Sequence, residues 1–177
     1  HSNHITGTIP SEVGQLTALE HLYLCGNQLT GSIPSSVGLL SVMQRLSLFN
    51  NQLTGSIPSE MGKLMAINII YIYDNQMTGT LPSTLGSLLN IDELWLNDNH
   101  LSGRLPVEIS GLTELRSLFL QNNVLTGYDA GTFNHLAQLE LTTIDMSNNR
   151  LTGSLPAEMF LLPSLQVLSL SGAHDIL

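Results

Sequence analysis

Apolar residues return along this chain in pairs at a fixed interval. Leu22 and Leu24 are followed by Leu46 and Leu48, then Ile70 and Ile72, then Leu94 and Leu96, with Tyr23, Ser47, Tyr71 and Trp95 between the members of each pair. Such alternation marks a strand with one buried face, the apolar pair pointing in and its neighbours out. It predicts seven short strands, near residues 21–25, 45–49, 69–73, 93–97, 117–121, 143–147 and 167–171. Asparagine keeps the same beat. Asn3, Asn27, Asn51, Asn75, Asn99 and Asn123 are each 24 residues apart, and Asn149 follows after 26. A fixed period of this length means a solenoid, each copy forming one coil. Strands one coil apart must run parallel, because the chain returns in the same direction each time. The coils then cover one side of the sheet and leave the other open.

The copies also agree between the strands. Residues 46–64 read LSLFNNQLTGSIPSEMGKL, a clean example of L-x-L-x-x-N-x-L followed by [TS]-G-x-[IL]-P. This pattern resembles the plant-type leucine-rich repeat, and the resemblance covers nearly the whole chain. It implies an α/β leucine-rich-repeat solenoid: a curved, right-handed coil with a parallel concave sheet and a mostly irregular or 3-10 convex side. One domain over residues 1–177 is expected, of about seven repeats. The chain opens two residues before a repeat Asn and stops just after an eighth copy begins, so both ends are expected to be uncapped or cut from a longer protein. In this family stacked Asn side chains form a ladder, which assigns Asn27, Asn51, Asn75, Asn99, Asn123 and Asn149 a structural role. A buried amide has two donors and an acceptor to offer backbone groups where the chain leaves the strand. The sixth copy departs from the pattern: GYDAGTF over residues 127–133 has no Pro, and Phe133 with Leu136 and Leu139 resembles the typical repeat class instead. A Phe plugging the convex side is expected there.

Charge narrows the choice of partner. Fourteen Asp and Glu against five Lys and Arg give a formal net charge of −9, with no basic stripe to neutralise phosphates. Nucleic acid and anionic membrane surfaces are not expected as partners on that ground, and a cationic or neutral partner fits better. Apolar runs are too short to insert in a membrane. Cys25 is the single cysteine and has no internal partner. The six His residues show no metal-ligand spacing, and no nucleophile elbow, phosphate loop or triad is present, so neither an enzyme nor a cofactor or metal is expected.

Function must then lie on the open face. One outward column runs Tyr23, Ser47, Tyr71, Trp95, Phe119, Asp145 and Ser169, and the next runs Cys25, Phe49, Tyr73, Asn97, Gln121, Ser147 and Ser171. Aromatics bury much area at little entropic cost and are favoured at interface hot spots. Phe49, Tyr71, Tyr73, Trp95 and Phe119 are therefore the candidate ligand-binding residues, with Asp74 and Asp98 at the margin. Packing of these rings on one another is the alternative. Arg45 and Arg116 flank the patch and are available to carboxylates. The expected function is recognition of a protein or peptide, in the ligand-binding segment of a larger receptor-like protein at the cell surface or outside the cell. The resemblance also allows a secreted inhibitor of cell-wall-degrading enzymes. A remote third reading is ice binding, through the hydroxyl strip Thr6-Gly-Thr8, Thr30-Gly-Ser32, Thr54-Gly-Ser56 and Thr78-Gly-Thr80.

Overall fold

The computed structural model describes residues 3–129, 131–133 and 140–172. Its main sheet holds β2 (His21–Tyr23), β4 (Arg45–Ser47), β5 (Ile69–Tyr71), β6 (Glu93–Trp95), β8 (Ser117–Phe119), β10 (Thr143–Asp145) and β11 (Val167–Ser169) in that spatial order. Every pairing is parallel, and Leu22, Leu46, Ile70, Leu94, Leu118, Ile144 and Leu168 stand opposite one another. Leu46, Ile70, Leu94, Leu118 and Ile144 are buried, whereas Leu22 and Leu168, on the two edge strands of the sheet, are only partly so.

The strands are three residues long where the alternation predicts five. Backbone bonding continues past them, with Leu48 N donating to Tyr71 O at 2.8 Å and Asn50 N to Tyr73 O at 3.1 Å. The regular strand stops because the chain turns left-handed at Asn50, Asp74, Asp98, Asn122 and Asn148, all with φ between 51° and 56°. Asn and Asp tolerate that region better than other side chains do. The next residue is the ladder Asn. Asn75 Nδ2 lies 3.0–3.2 Å from the carbonyls of Leu48, Ile72 and Tyr73, while its Oδ1 accepts from Leu53 N at 3.0 Å. One side chain thus ties its own strand end to the coil before it.

A second ladder runs beside the sheet and was not evident in the apolar pattern. Here β1 (Thr6–Thr8) pairs with β3 (Gln28–Thr30), and β7 (Ser102–Leu105) with β9 (Val124–Tyr128). Between them single bonds carry it on, such as Thr54 N to Gly31 O and Thr78 N to Gly55 O, each 2.8 Å. The convex side consists of five-residue 3-10 helices, among them Ser35–Leu39, Ser59–Lys63 and Ser83–Ser87, preceded by Pro34, Pro58 and Pro82 in extended conformation. Successive helices pack so closely that a Cβ on Gly38 or Gly62 would lie 2.3–2.4 Å from the carbonyl oxygen of Glu60 or Thr84. In the sixth coil Phe133 is buried and meets Tyr128 edge-on at 5.0 Å. Leu136 and Leu139 lie outside the described residues.

Candidate functional site

The open face is built by register. Because Tyr71, Trp95 and Phe119 are direct partners on β5, β6 and β8, their rings must stand in a row. Tyr71 and Trp95 are 4.5 Å apart and tilted by 38°, and Phe119 meets Trp95 at 5.0 Å and 69°. The next column joins them: Phe49 and Tyr73 stack at 4.5 Å and 6°, and Tyr73 lies 5.8 Å from Trp95. Five rings form one cluster, and because each covers part of its neighbour the clustered rings of Tyr71, Trp95 and Phe119 are half-buried. Tyr23 stands apart, 56% exposed and next to His21, because buried Ser47 interrupts its column.

Polar contacts fix the cluster. The Tyr71 hydroxyl donates to Glu93. Burial, then this bond and the nearby carboxylate charge, push the Tyr71 phenol well above its usual range. Tyr73 is also raised, by burial first and then by Cys25 and Asp74. Asp74 and Asp98 occupy the left-handed turn positions, which gives each a backbone reason to be Asp. The Asp98 carboxylate accepts from Asn97 Nδ2 and from Asn122 Nδ2, both at 2.7 Å, and Asn122 Oδ1 accepts from Asn148 at 2.9 Å. Side-chain amides therefore answer the charge of Asp98. Arg116 is held by Glu140 at 2.8 Å and Asp92 at 3.5 Å, whereas Arg45 makes no ion pair among the described residues. Among those residues no group of three His, Cys, Asp or Glu could hold a metal.

Three buried polar atoms on this face have no hydrogen-bond partner among the described residues: Trp95 Nε1, Asn97 Oδ1 and Gln121 Oε1. Asn97 is only 9% exposed. Asn97 and Gln121 continue the Phe49–Tyr73 column, a position legible in the repeat, but their chemistry there becomes visible only once packing shows them unpaired.

The hydroxyl strip lies on the second ladder. Thr30, Thr126 and Thr152 donate their hydroxyl protons to the carbonyls of Gly7, Gly103 and Thr126, and Ser102 to Gly79. Elsewhere a hollow of about 460 Å³ beside the sixth coil is lined by Arg104, Tyr128, Asp129, Phe133 and Glu158, but Arg104 already pairs with Asp129 at 3.0 Å.

Profiles described as leucine rich repeat match residues 114–174, and residues 18–40, 43–64 and 90–112. No curated protein sequence matches. Among solved structures, a TDR receptor superposes with a TM-score of 0.90 at 34% identity, covering 96% of this chain and 29% of that one. The ectodomain of the Arabidopsis receptor kinase HAESA, solved with the peptide hormone IDA, gives 0.87 at 35%, covering 96% and 28%. A plant ice-binding protein gives 0.82 at 30%, covering 94% and 53%. The chain thus spans less than a third of the two receptor structures.

Proposed function

The chain belongs to the leucine-rich-repeat family, in its plant-type form, and from that premise we propose that it recognises a protein or peptide through the aromatic, acidic open face of its sheet. The observation that carries this reading is the five-ring cluster of Phe49, Tyr71, Tyr73, Trp95 and Phe119, on the side of the sheet that the described coils leave open. Contiguous aromatic surface left open to water on a folded array marks an interaction site. Rings already locked against one another lose little further freedom when a partner covers them, so more of the buried area becomes affinity. The HAESA ectodomain, similar to this chain over 96% of its length, is described as a complex with a peptide hormone. By analogy the segment is the ligand-binding part of a larger receptor-like protein at the cell surface. Asp74 and Asp98 form the acidic margin of the face and bias it toward cationic partners.

Ice binding is the second reading, favoured by the similarity to an ice-binding protein and by the Thr and Ser strip. Of that strip only Thr30 gives its hydroxyl proton to a backbone carbonyl among the described residues, so the strip remains exposed and experiment must choose between the two faces.

A random-peptide display library, selected on the whole chain, separates these readings. Selected peptides should lose at least about 2 kcal/mol of affinity with Trp95→Ala, as hot-spot aromatics do, and almost nothing with Ser169→Ala. Equal losses from the two variants, or freezing-point hysteresis abolished by Thr54→Val, would count against the open-face reading.

A further inference from the structure

The centre of the open face has a hydrogen-bonding inventory that the protein itself leaves unfilled. One donor, Trp95 Nε1, and two acceptors, Asn97 Oδ1 and Gln121 Oε1, are buried without partners among the described residues, on the adjoining strand ends of β6 and β8. The orientation of Asn97 is fixed, because its Nδ2 donates to Asp98 at 2.7 Å and so its oxygen must be the unpaired end. Asp98 also polarises that amide, and hydrogen bonds in a chain strengthen one another. Gln121 and Trp95 make no side-chain hydrogen bond among the described residues, so turning them toward a partner breaks none. Buried polar groups are normally satisfied, and unfilled ones at a surface cluster point to a group brought from outside.

We propose that this centre is an arginine subsite: a partner's guanidinium stacks on Trp95, beside Phe119, and donates to Asn97 Oδ1 and Gln121 Oε1, while a carbonyl of the same partner accepts from Trp95 Nε1. The inference rests on the open-face reading above and names the chemistry that the face selects. A guanidinium carries five donors in one plane, no acceptor and a permanent positive charge, so it can reach acceptors on neighbouring strands at once. It is also the side chain that stacks best on an aromatic face, with Trp the strongest platform. Lysine offers a point charge without the plane, and a backbone amide offers one donor without the charge. The surroundings are acidic, with Asp74, Glu93, Asp98 and Asp145 around the cluster, and Arg116 is already occupied by Asp92 and Glu140.

The peptides selected from the random library provide the probe; the fluorescence of Trp95, the single tryptophan, reports their binding to the Gln121 variants, and calorimetric titration reports it for Trp95→Ala. Arginine should recur at one position among them, and replacing it by lysine or by neutral citrulline should weaken binding roughly tenfold or more, the worth of a charge-assisted hydrogen bond. Gln121→Met, which removes the acceptor at similar volume, should weaken the arginine peptides by about the same factor. Gln121→Glu, which keeps the acceptor and adds charge, should tighten them, a gain that a damaged fold cannot imitate. Neither variant should change the binding of the Arg→Ala peptide. Peptides that need Trp95 but tolerate Arg→Ala, or ignore both Gln121 variants, would overturn the arginine subsite and leave the open-face reading standing. Peptides indifferent to Trp95→Ala, or a library that yields no binder, would overturn both.

Discussion

A phenol that donates to a carboxylate and sits among other rings resists ionisation, and Tyr71 does both. Burial is the larger cause, Glu93 the second, and Tyr73 is shifted the same way by burial. Since both phenols are raised in the folded protein, the neutral forms stabilise it fully below the ordinary phenol value of about 10. That contribution is lost as pH rises through the folded values, because the unfolded chain releases its protons first. Alkaline denaturation should therefore begin near pH ~10 and be shallower in Tyr71→Phe, with phenolate absorbance appearing late. Phenolate formation by Tyr71 and Tyr73 at the free-tyrosine value would contradict this geometry. The residue scale also shows what charge alone could not reveal. Asp74 and Asp98 read in sequence as an acidic margin, yet they share their left-handed turn with Asn50, Asn122 and Asn148. The signal was present in the residue before each ladder Asn, in Asn50–Asn51, Asp74–Asn75, Asp98–Asn99, Asn122–Asn123 and Asn148–Asn149, with Gly26 in the same place before Asn27. It is a conformational signal, and a reading of side-chain charge passes over it.

Within a coil, the strand and the 3-10 helix are specified by different means. The strand is legible because its alternation is hydrophobic: Leu94 and Leu96 must go inward, so Glu93, Trp95 and Asn97 face out, and the 24-residue step then sets the register with Ile70 and Leu118. The second ladder was less legible, since its Thr-Gly-Ser sequence carries no apolar alternation and its pairing rests on backbone groups, with a few Thr and Ser hydroxyls added. The glycines of the convex side were missed for a similar reason. Gly62 is no turn residue; it is small because the next coil passes directly over it, with Thr84 O where its Cβ would go, at 2.4 Å. Gly62→Ala must force the two helices apart, and the obstacle is backbone, which cannot rotate aside. Overpacking of this kind costs about 1–3 kcal/mol. Chemical denaturation should show such a loss for Gly62→Ala. A loss below about half a kcal/mol, the range of an ordinary surface substitution, would mean the helices are spaced more loosely than this.

At the scale of the whole molecule, repetition makes the sheet uniform while the outward residues make it polar along its length. Seven strands at about 4.8 Å give a face of about 30 Å, but the ring cluster occupies only β4 to β8, roughly 14 Å or four residues of extended peptide. Beyond it β10 and β11 present Asp145 and Ser169. A partner is therefore anchored at one place and guided over the rest, and the guiding force is electrostatic, since the chain carries a formal net charge of −9. Long-range attraction of this sort acts on encounter more than on residence, whereas desolvated central contacts set the dissociation rate. Screening should expose the division. Raising ionic strength from about 0.01 M to 1 M shortens the screening length from about 30 Å to 3 Å. Association of arginine-bearing peptides should slow steeply over that range while their dissociation changes little. Trp95→Ala should do the reverse, speeding dissociation and leaving the salt dependence of association intact. Association that is indifferent to salt would show that the acidic balance of the chain plays no part in drawing its partner. In that case the aromatic cluster would have to account for recognition by contact alone.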